Sequence, residues 1–242
     1  MAHADLVLEG GGMKGIGLGG AITALMRAGY RFERVAGTSA GAIAGALLAA
    51  GISRRGLTDA MARLQYARVA DRGLPKIPIL SEGLSLLRSA GAYEGDYIHG
   101  FVRDELERLG VRSFGDLRRT DGGDDATLPA ERRYGLVVTA TDVTNGRLLR
   151  LPWDYALLGL EPDEQLVADA VRASISIPLY FEPVIVRHGV TGEPTTLVDG
   201  GVLSNYPIEI FDRTDLRPSR WPTLGIKVVP GVSAGDHDIF PG

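Results

Sequence analysis

The chain has 242 residues and no cysteine, and this absence removes several kinds of chemistry at once. Without cysteine there are no disulfide bonds, no thiol nucleophile and no thiolate ligands for a metal. Catalytic or ligand-binding groups must therefore come from other residue types.

The sequence also has little excess charge and no long apolar run. The formal net charge is -4 and no basic stripe is visible, so nucleic-acid binding is not expected. The longest apolar run, from Ala40 to Ala50, is too short to span a bilayer and contains two glycines. The N-terminus, Met1 to Asp5, lacks the basic and apolar regions of a signal peptide. We therefore expect a soluble, cytoplasmic protein.

The hydrophobic content of 45% is enough for one sizeable core, so a single domain over residues 1–242 is expected. Lysine is scarce, with 3 lysines against 23 arginines, which indicates a GC-rich, bacterial source.

The sequence does contain a serine between two glycines, in the segment Gly37-Thr38-Ser39-Ala40-Gly41. An apolar stretch precedes this segment, and a run typical of a helix follows it to Ala50. Such a strand–turn–helix context is typical of a nucleophile elbow, in which a strained turn holds the serine clear of the sheet and small neighbours avoid clashes. The first amides of the following helix would favour an oxyanion beside the serine.

A second Gly-x-Ser-x-Gly match occurs near the C-terminus, around Ser233. About 0.2 matches are expected by chance in a chain so rich in glycine. This second match follows Pro230, and no helical pattern comes after it. The sequence context therefore selects Ser39 as the candidate nucleophile.

A glycine-rich segment follows the predicted first strand, Asp5–Leu8, and precedes a predicted helix from residue 16 to about residue 28. Three consecutive glycines indicate backbone amides that are open to an anionic group. The same segment fits the Gly-x-Gly-x-x-Gly pattern of dinucleotide-binding folds, with Glu33 near the position of the ribose-binding acid. Against this, Glu33 precedes the second apolar strand, and that strand ends in the serine turn. Nucleotide binding remains the alternative hypothesis.

The remaining pattern alternates strands with helices. Strands are predicted at 135–140, 147–151, 181–187, 195–198 and 223–229, and a helix capped by Asp96 is predicted to run to Leu109. Gly51 is predicted to end the helix after the serine turn, Ser53 to start a further helix, and Gly146 to lie in a hairpin turn. Residues 66–89 show no clear period, which predicts either a lid or mobile insertion or an irregular surface loop. The alternation predicts an α/β fold with a mostly parallel central sheet and helices on both faces.

Asp199 is the second candidate for catalysis. It ends a predicted strand and precedes Gly200 and Gly201, at the edge where open α/β sheets place their ligands. Of the four histidines, His3 is terminal, His99 lies in a predicted helix, His188 in a hairpin-like turn and His237 in the tail. None ends a strand after Ser39 in the way that the histidine of a catalytic triad does. A serine nucleophile needs a nearby base, and Asp199 is the best-placed residue for that role.

Four segments in this order make the chain resemble the patatin-like phospholipase family. They are the glycine-rich segment, the serine turn, the block from Ala173-Ser174 to Pro178, and Asp199-Gly200-Gly201. The resemblance covers residues from about 5 to about 230. It implies a three-layer α/β sandwich and a lipid acyl hydrolase that needs no metal or other cofactor. Family members commonly continue beyond the strand at 223–229, so the resemblance also implies that this chain ends early.

The resemblance further implies a role for each matching residue. Ser39 is the nucleophile of a Ser–Asp dyad, Asp199 is its base, and Lys14 occupies the family's basic position. The implied oxyanion hole consists of Gly10, Gly11, Gly12 and Met13, with supporting positions at Gly15, Gly37, Gly41, Gly200 and Gly201. The implied substrate is a phospholipid or other lipid ester, which allows peripheral contact with a membrane. A lipid-binding module without catalysis is a further alternative, and the oligomeric state is left open.

The two serine motifs allow a direct test of the prediction that only one is catalytic. We expect Ser39→Ala to abolish ester hydrolysis and covalent labelling by a fluorophosphonate, because the nucleophile is lost. Ser233→Ala should change neither rate by more than about threefold, because no helix follows that motif. Normal turnover and labelling in Ser39→Ala would contradict the assignment.

Overall fold

The computed structural model describes residues 1–11, 16–64, 81–119, 129–213 and 218–229 of the chain. Within these residues the strands are β1 Ala2–Leu8, β2 Tyr30–Gly37, β3 Leu136–Asp142, β4 Arg147–Leu151, β5 Val184–Arg187, β6 Pro194–Asp199 and β7 Thr223–Ile226. The α-helices are α1 Ile16–Arg27, α2 Ala40–Ala49, α3 Arg54–Arg63, α4 Ser81–Arg108 and α5 Val167–Ser174.

The strands form one mixed, seven-stranded sheet. Its order is β5-β6-β3-β2-β1-β7, and β4 also pairs with β3. The four neighbours β3, β2, β1 and β7 are parallel, whereas β4 and β6 run antiparallel to β3. The α/β fold with parallel strands at its centre, predicted from the alternating pattern, is confirmed.

The two faces of the sheet follow from the alternation of side chains along its parallel strands. On one face, Leu6, Val35 and Leu136 join a core to which all five helices contribute buried side chains. On the other face, Val7, Ala36 and Val137 pack against Phe211, which belongs to the 3-10 turn Ile208–Phe211. Among the described residues, the α-helices therefore pack against the first face. On the second face, where helices were also predicted, this short 3-10 turn covers part of the sheet.

One edge of β3 brings two distant strand ends together. Val138 pairs with Leu151 of β4 and with Gly37, the last residue of β2. Ala140 pairs with Leu149 of β4 and with Asp199, the last residue of β6. A strand residue has one neighbour on each side, so β2 and β6 share the edge of β3 that lies opposite β4. They run towards each other along it, and both end beside Thr139.

Helix α4, predicted to start at Asp96 and end near Leu109, starts earlier in the structure. The helix begins at Ser81, so Asp96 lies within it and is not its N-cap. Aspartate is common at helix N-caps, but here the helix continues through Gly95, which lies beside the guanidinium of Arg172. The irregular surface loop, one of the two alternatives predicted for 66–89, is therefore wrong for residues 81–89, which are helical. The rest of that segment lies outside the described residues.

The local signals at other boundaries agree with the structure. Gly51, at the predicted end of the elbow helix, has a φ of 82°, and the Ser53 hydroxyl accepts a hydrogen bond from the Gly56 amide at 3.0 Å as the cap of α3. Gly146 has a φ of 66° in the turn between β3 and β4. These positions were predicted because glycine and a capping serine have specific local conformations.

Candidate active site

Ser39 lies in the turn between β2 and α2, and its backbone is strained. Its φ is 53° and its ψ is -121°, a region that residues with a side chain rarely occupy. Ser39 and Leu179 are the non-glycine residues with positive φ within the described parts of the chain. Such strain persists only where the surrounding structure enforces it, and it is concentrated at functional sites.

The glycines on both sides of Ser39 are required by close packing of the backbone. A Cβ at Gly37 would lie 2.7 Å from the Ala42 nitrogen, and a Cβ at Gly41 would lie 2.5 Å from the Leu8 carbonyl oxygen. Real Cβ atoms do not approach other atoms so closely, so any side chain would push α2 away from β1 and β2. The two glycines of the predicted elbow are thus explained by contact, and not by positive φ.

Two buried hydrogen bonds hold the turn in place. The Ser39 amide donates to the hydroxyl of Ser174 at 2.9 Å, and Ser174 is fully buried at the end of α5. The hydroxyls of Thr38 and Thr139 lie 2.6 Å apart, which ties the turn to β3. Both bonds join segments more than 100 residues apart in sequence. Ser174 belongs to a block that was noted in the sequence, but nothing there revealed its contact with the Ser39 amide.

Asp199 is buried at the end of β6, with 5% of its surface exposed. Its amide donates to the Ser176 carbonyl oxygen at 2.9 Å, and its Oδ1 accepts from the Gly201 amide at 2.7 Å. The other carboxylate oxygen, Oδ2, is buried and forms no well-aligned hydrogen bond with any described residue. The Gly201 amide therefore holds one carboxylate oxygen of Asp199, and the other oxygen is available to accept a proton.

Burial raises the pKa of the Asp199 carboxyl, because desolvation disfavours its charged form. The Ser39 side chain and the Gly201 amide favour the charged form and partly oppose this rise. A carboxylate with a raised pKa is a stronger base than an exposed one. Oδ2 forms no hydrogen bond with the Ser39 hydroxyl in this structure, and catalytic hydrogen bonds are often long or poorly aligned before substrate binds.

Ser39 and Asp199 face a cavity of about 290 Å³. The predicted positions Gly10, Gly11 and Gly201 also contribute to its wall. The remaining lining residues are Ile177, Pro178, Val202 and Asn205. The fold thus brings three segments predicted to be functional into one cavity, together with Asn205, which was not predicted.

The glycine-rich segment is described as far as Gly11. The Gly10 amide donates to the carbonyl oxygen of Asn205 at 3.0 Å, so it is not free to donate to an oxyanion in this conformation. Gly11 lines the cavity, and its amide has no backbone partner among the described residues. The other predicted positions, Gly12, Met13, Lys14 and Gly15, lie outside the described residues.

The three described histidines have partners away from the cavity. His3 pairs with Glu33, His99 lies 2.7 Å from Asp169, and His188 accepts amides of its own hairpin turn. His237 and Ser233 lie outside the described residues. Of the part of the chain that the structure describes, no histidine is among the residues that line the cavity with Ser39.

Glu33, the acid that the alternative nucleotide hypothesis needs, lies away from the carboxyl end of β2. The strand continues for four residues beyond it to Gly37. Its carboxylate is held by Arg119 at 2.9 Å and by His3. These ion pairs, despite the opposing effect of burial, lower the pKa of Glu33. The position and partners of Glu33 are those of a structural ion pair.

Neither a metal-binding cluster nor a membrane-spanning helix occurs among the described residues. No group of three or more His, Cys, Asp or Glu side chains there could hold a metal ion. None of the described helices is both long enough and apolar enough to cross a membrane.

Comparisons with known proteins match most of the chain. A family model of patatin-like phospholipases matches residues 6–212. Protein YqhO of Bacillus subtilis is 38% identical over 229 residues, which are 94% of this chain and 72% of YqhO. An NTE family protein of Mycobacterium bovis is 30% identical over 94% of this chain, but only 32% of that protein is covered.

A solved structure agrees with the fold. VipD from Legionella pneumophila matches 88% of this chain with a TM-score of 0.52 and 22% sequence identity. This chain covers 48% of VipD and about a third of the mycobacterial relative. At such identity the likeness to VipD concerns the fold alone.

The packing around the serine turn gives a testable prediction about stability. We expect Gly41→Ala to destabilise the protein by about 1–3 kcal/mol, because its Cβ would overlap the end of β1. Gly20→Ala in α1 is the matched control, because its Cβ meets nothing within 4 Å. It should be neutral or stabilising by up to about 1 kcal/mol. Urea unfolding measures both, and equal effects of the two changes would contradict the close packing at Gly41.

Proposed function

The chain belongs to the patatin-like phospholipase family, and we propose that it hydrolyses carboxylic esters of lipids with Ser39 as nucleophile and Asp199 as base. The observation that carries this proposal is a serine in a strained turn beside a buried aspartate that keeps one oxygen without a well-formed hydrogen bond. The described histidines have other partners and do not line the cavity, which supports a two-residue mechanism.

The first chemical step would form an acyl-enzyme. Asp199 takes the proton of the Ser39 hydroxyl as its oxygen attacks the ester carbonyl carbon. The tetrahedral intermediate collapses when Asp199 returns that proton to the departing alcohol. Water then attacks the acyl-enzyme, with Asp199 again acting as base and then as acid. Ser39 is regenerated and the fatty acid is released.

The negative charge on the carbonyl oxygen must be stabilised in both tetrahedral intermediates. Gly11 lines the cavity with Ser39, and we assign its amide and that of Gly12 to this role. Each such donor lowers the barrier by about 3 kcal/mol. The Gly10 amide is excluded from the set in this conformation, because it already donates to Asn205.

Exposed apolar side chains around the cavity support a lipid substrate. Ile177 and Pro178 line the cavity, and the next residue, Leu179, is 90% exposed. On another part of the wall, Val202 lines the cavity and the next residue, Leu203, is 53% exposed. Exposed apolar groups at the mouth of a reactive site are typical of surfaces that contact a membrane or a micelle. We propose that these two segments contact the lipid surface from which the substrate is taken.

The proposed dyad predicts which residue controls the pH dependence. We expect Asp199→Asn to lower kcat/KM by about 10²–10⁴, the usual contribution of a positioned general base. Since burial raises the pKa of Asp199, wild-type activity should fall as the pH drops through a value above the ordinary aspartate range. That acid limb should be absent from the residual activity of Asp199→Asn.

Two further measurements serve as controls for this experiment. They are the unfolding of Asp199→Asn in urea and the turnover of single histidine variants. A raised carboxyl pKa means that ionisation of Asp199 disfavours the folded state, and the loss grows as the pH rises through that pKa. Asp199→Asn should therefore unfold at the same or a higher urea concentration at pH 7. Single replacements of His3, His99, His188 and His237 by Gln should keep turnover within about tenfold of wild type. A histidine variant as inactive as Ser39→Ala, with Asp199→Asn still active, would refute the dyad.

The proposed lipid contact predicts a dependence on the physical state of the substrate. We expect the double variant Leu179→Ser/Leu203→Ser to lose about tenfold or more in activity on phospholipid vesicles, because the apolar contact is lost. Its activity on a short, water-soluble ester should fall far less. Val190→Ser is the control, since Val190 is 83% exposed in the hairpin turn at the opposite end of β6.

A panel of phospholipids and soluble esters, with products resolved by mass, would define the bond that is cleaved. Equal losses on vesicles and on soluble esters in the double variant would contradict the lipid contact. A panel in which only soluble esters are cleaved would contradict the lipid substrate, but would leave the serine mechanism in place.

A further inference from the structure

Asn205 makes two hydrogen bonds with Gly10, although 195 residues separate the two positions. The backbone carbonyl of Asn205 accepts from the Gly10 amide at 3.0 Å, and its side-chain Nδ2 donates to the Gly10 carbonyl at 2.9 Å. The fit is close, because a Cβ at Gly10 would overlap Oδ1 of Asn205 and would lie 3.2 Å from Cβ of Ser39. Asn205 thus fixes the peptide groups on both sides of Gly10, directly beside the proposed nucleophile.

The second of these bonds has a consequence for Gly11. The Gly10 carbonyl and the Gly11 amide belong to the same planar trans peptide group, so they point in opposite directions and rotate together. Glycine has no Cβ to restrict this rotation, and two consecutive glycines leave the peptide between them especially free. The Asn205 side chain therefore sets the direction of the Gly11 amide by holding the carbonyl on the other side of the peptide bond.

We propose that Asn205 is a positioning residue that aims the Gly11 amide at the oxyanion formed on the substrate of Ser39. This inference rests on the proposed function, and it assigns Asn205 a role that does not require contact with the substrate. Asp199 ends β6, and Asn205 lies shortly after it in the segment that leads towards β7. The same stretch of chain therefore supplies the proposed base and then orients the proposed oxyanion donor.

The role predicts a specific kinetic signature. An oxyanion donor acts mainly in the transition state, so misdirecting it lowers kcat and leaves KM nearly unchanged. Loss of one donor lowers kcat by about 10²–10³, and we expect a misdirected donor to lower it by about 10–100-fold. A residue that only stabilises the fold would instead change the unfolding free energy without this selective loss of kcat.

The experiment compares Asn205→Asp, Asn205→Ala and a matched control. Asn205→Asp keeps the shape of the side chain but replaces the donor with an acceptor that faces the Gly10 carbonyl. Asn145→Asp is the control, because Asn145 Nδ2 also donates to an oxygen, that of Asp142 at 2.8 Å, in the turn between β3 and β4. It makes the same chemical change away from the cavity. We would measure kcat and KM on a soluble ester, together with unfolding in urea.

A spectroscopic readout follows the oxyanion position directly. Reaction of Ser39 with a fluorophosphonate places a phosphoryl oxygen where the oxyanion forms, and its ³¹P resonance reports the hydrogen bonds to that oxygen. We expect both Asn205 variants to shift this resonance and to lower kcat by about 10–100-fold, with KM within about threefold of wild type. Asn145→Asp should be less stable than wild type but should leave the resonance and kcat unchanged.

The outcomes separate this inference from the function on which it rests. An active wild type with normal kcat and an unshifted resonance in Asn205→Asp would overturn the positioning role alone. A raised KM with unchanged kcat would also overturn it, because Asn205 would then contact the substrate. A wild type that neither hydrolyses esters nor reacts with the fluorophosphonate would overturn the proposed function, and the positioning role with it.

Discussion

The first turn of α2 lies directly against the carboxyl end of β1, and the rest of the site depends on this contact. Gly41 leaves no room for a side chain between the helix and the Leu8 carbonyl, and the Thr38 amide donates to the same carbonyl at 3.2 Å. Since β1 leads at once into Gly10 and Gly11, this contact also brings the glycine-rich segment to Ser39. The positions of the proposed nucleophile and the proposed oxyanion donor therefore both depend on the contact between α2 and the end of β1.

The site combines two energetically unfavourable features with several buried polar contacts. The backbone of Ser39 is strained and the carboxylate of Asp199 is desolvated, so each would relax if its surroundings allowed it. Ser174 and Thr139 resist relaxation of the serine turn through their hydrogen bonds. The Ser176 carbonyl holds the backbone of Asp199. Removing these partners should therefore affect activity as well as stability.

Much of the fold could be predicted from the sequence, because its signals are local. The serine turn and the helix cap at Ser53 depend on residues within a few positions of each other, and the structure agrees with both. The prediction was wrong at Asp96, because aspartate is favoured at helix N-caps but also occurs within helices, as it does here. Gly95, the residue before it, lies beside the guanidinium of Arg172 on a different helix, and sequence spacing does not reveal such a contact.

The same reason explains which parts of the candidate site were missed. Ser39 and Asp199 carry recognisable local patterns, whereas Ser174 and Asn205 act through contacts with residues 135 and 195 positions away. A lone serine at a helix end and a lone asparagine in a loop have no pattern that indicates such partners. The commitment of the Gly10 amide to Asn205 could not be predicted for the same reason.

The meeting of β2 and β6 on one edge of β3 makes the spacing between Ser39 and Asp199 a matter of strand register. Gly37 pairs with Val138 and Asp199 pairs with Ala140, so a single residue, Thr139, sets the gap between the two strand ends. Paired strands cannot slide by small amounts, because each step of the hydrogen-bond ladder is about 3.3 Å and a one-residue step turns every side chain to the opposite face. The register of the sheet therefore fixes how far apart the two strand ends lie, and a slip of one residue would separate the nucleophile from its base.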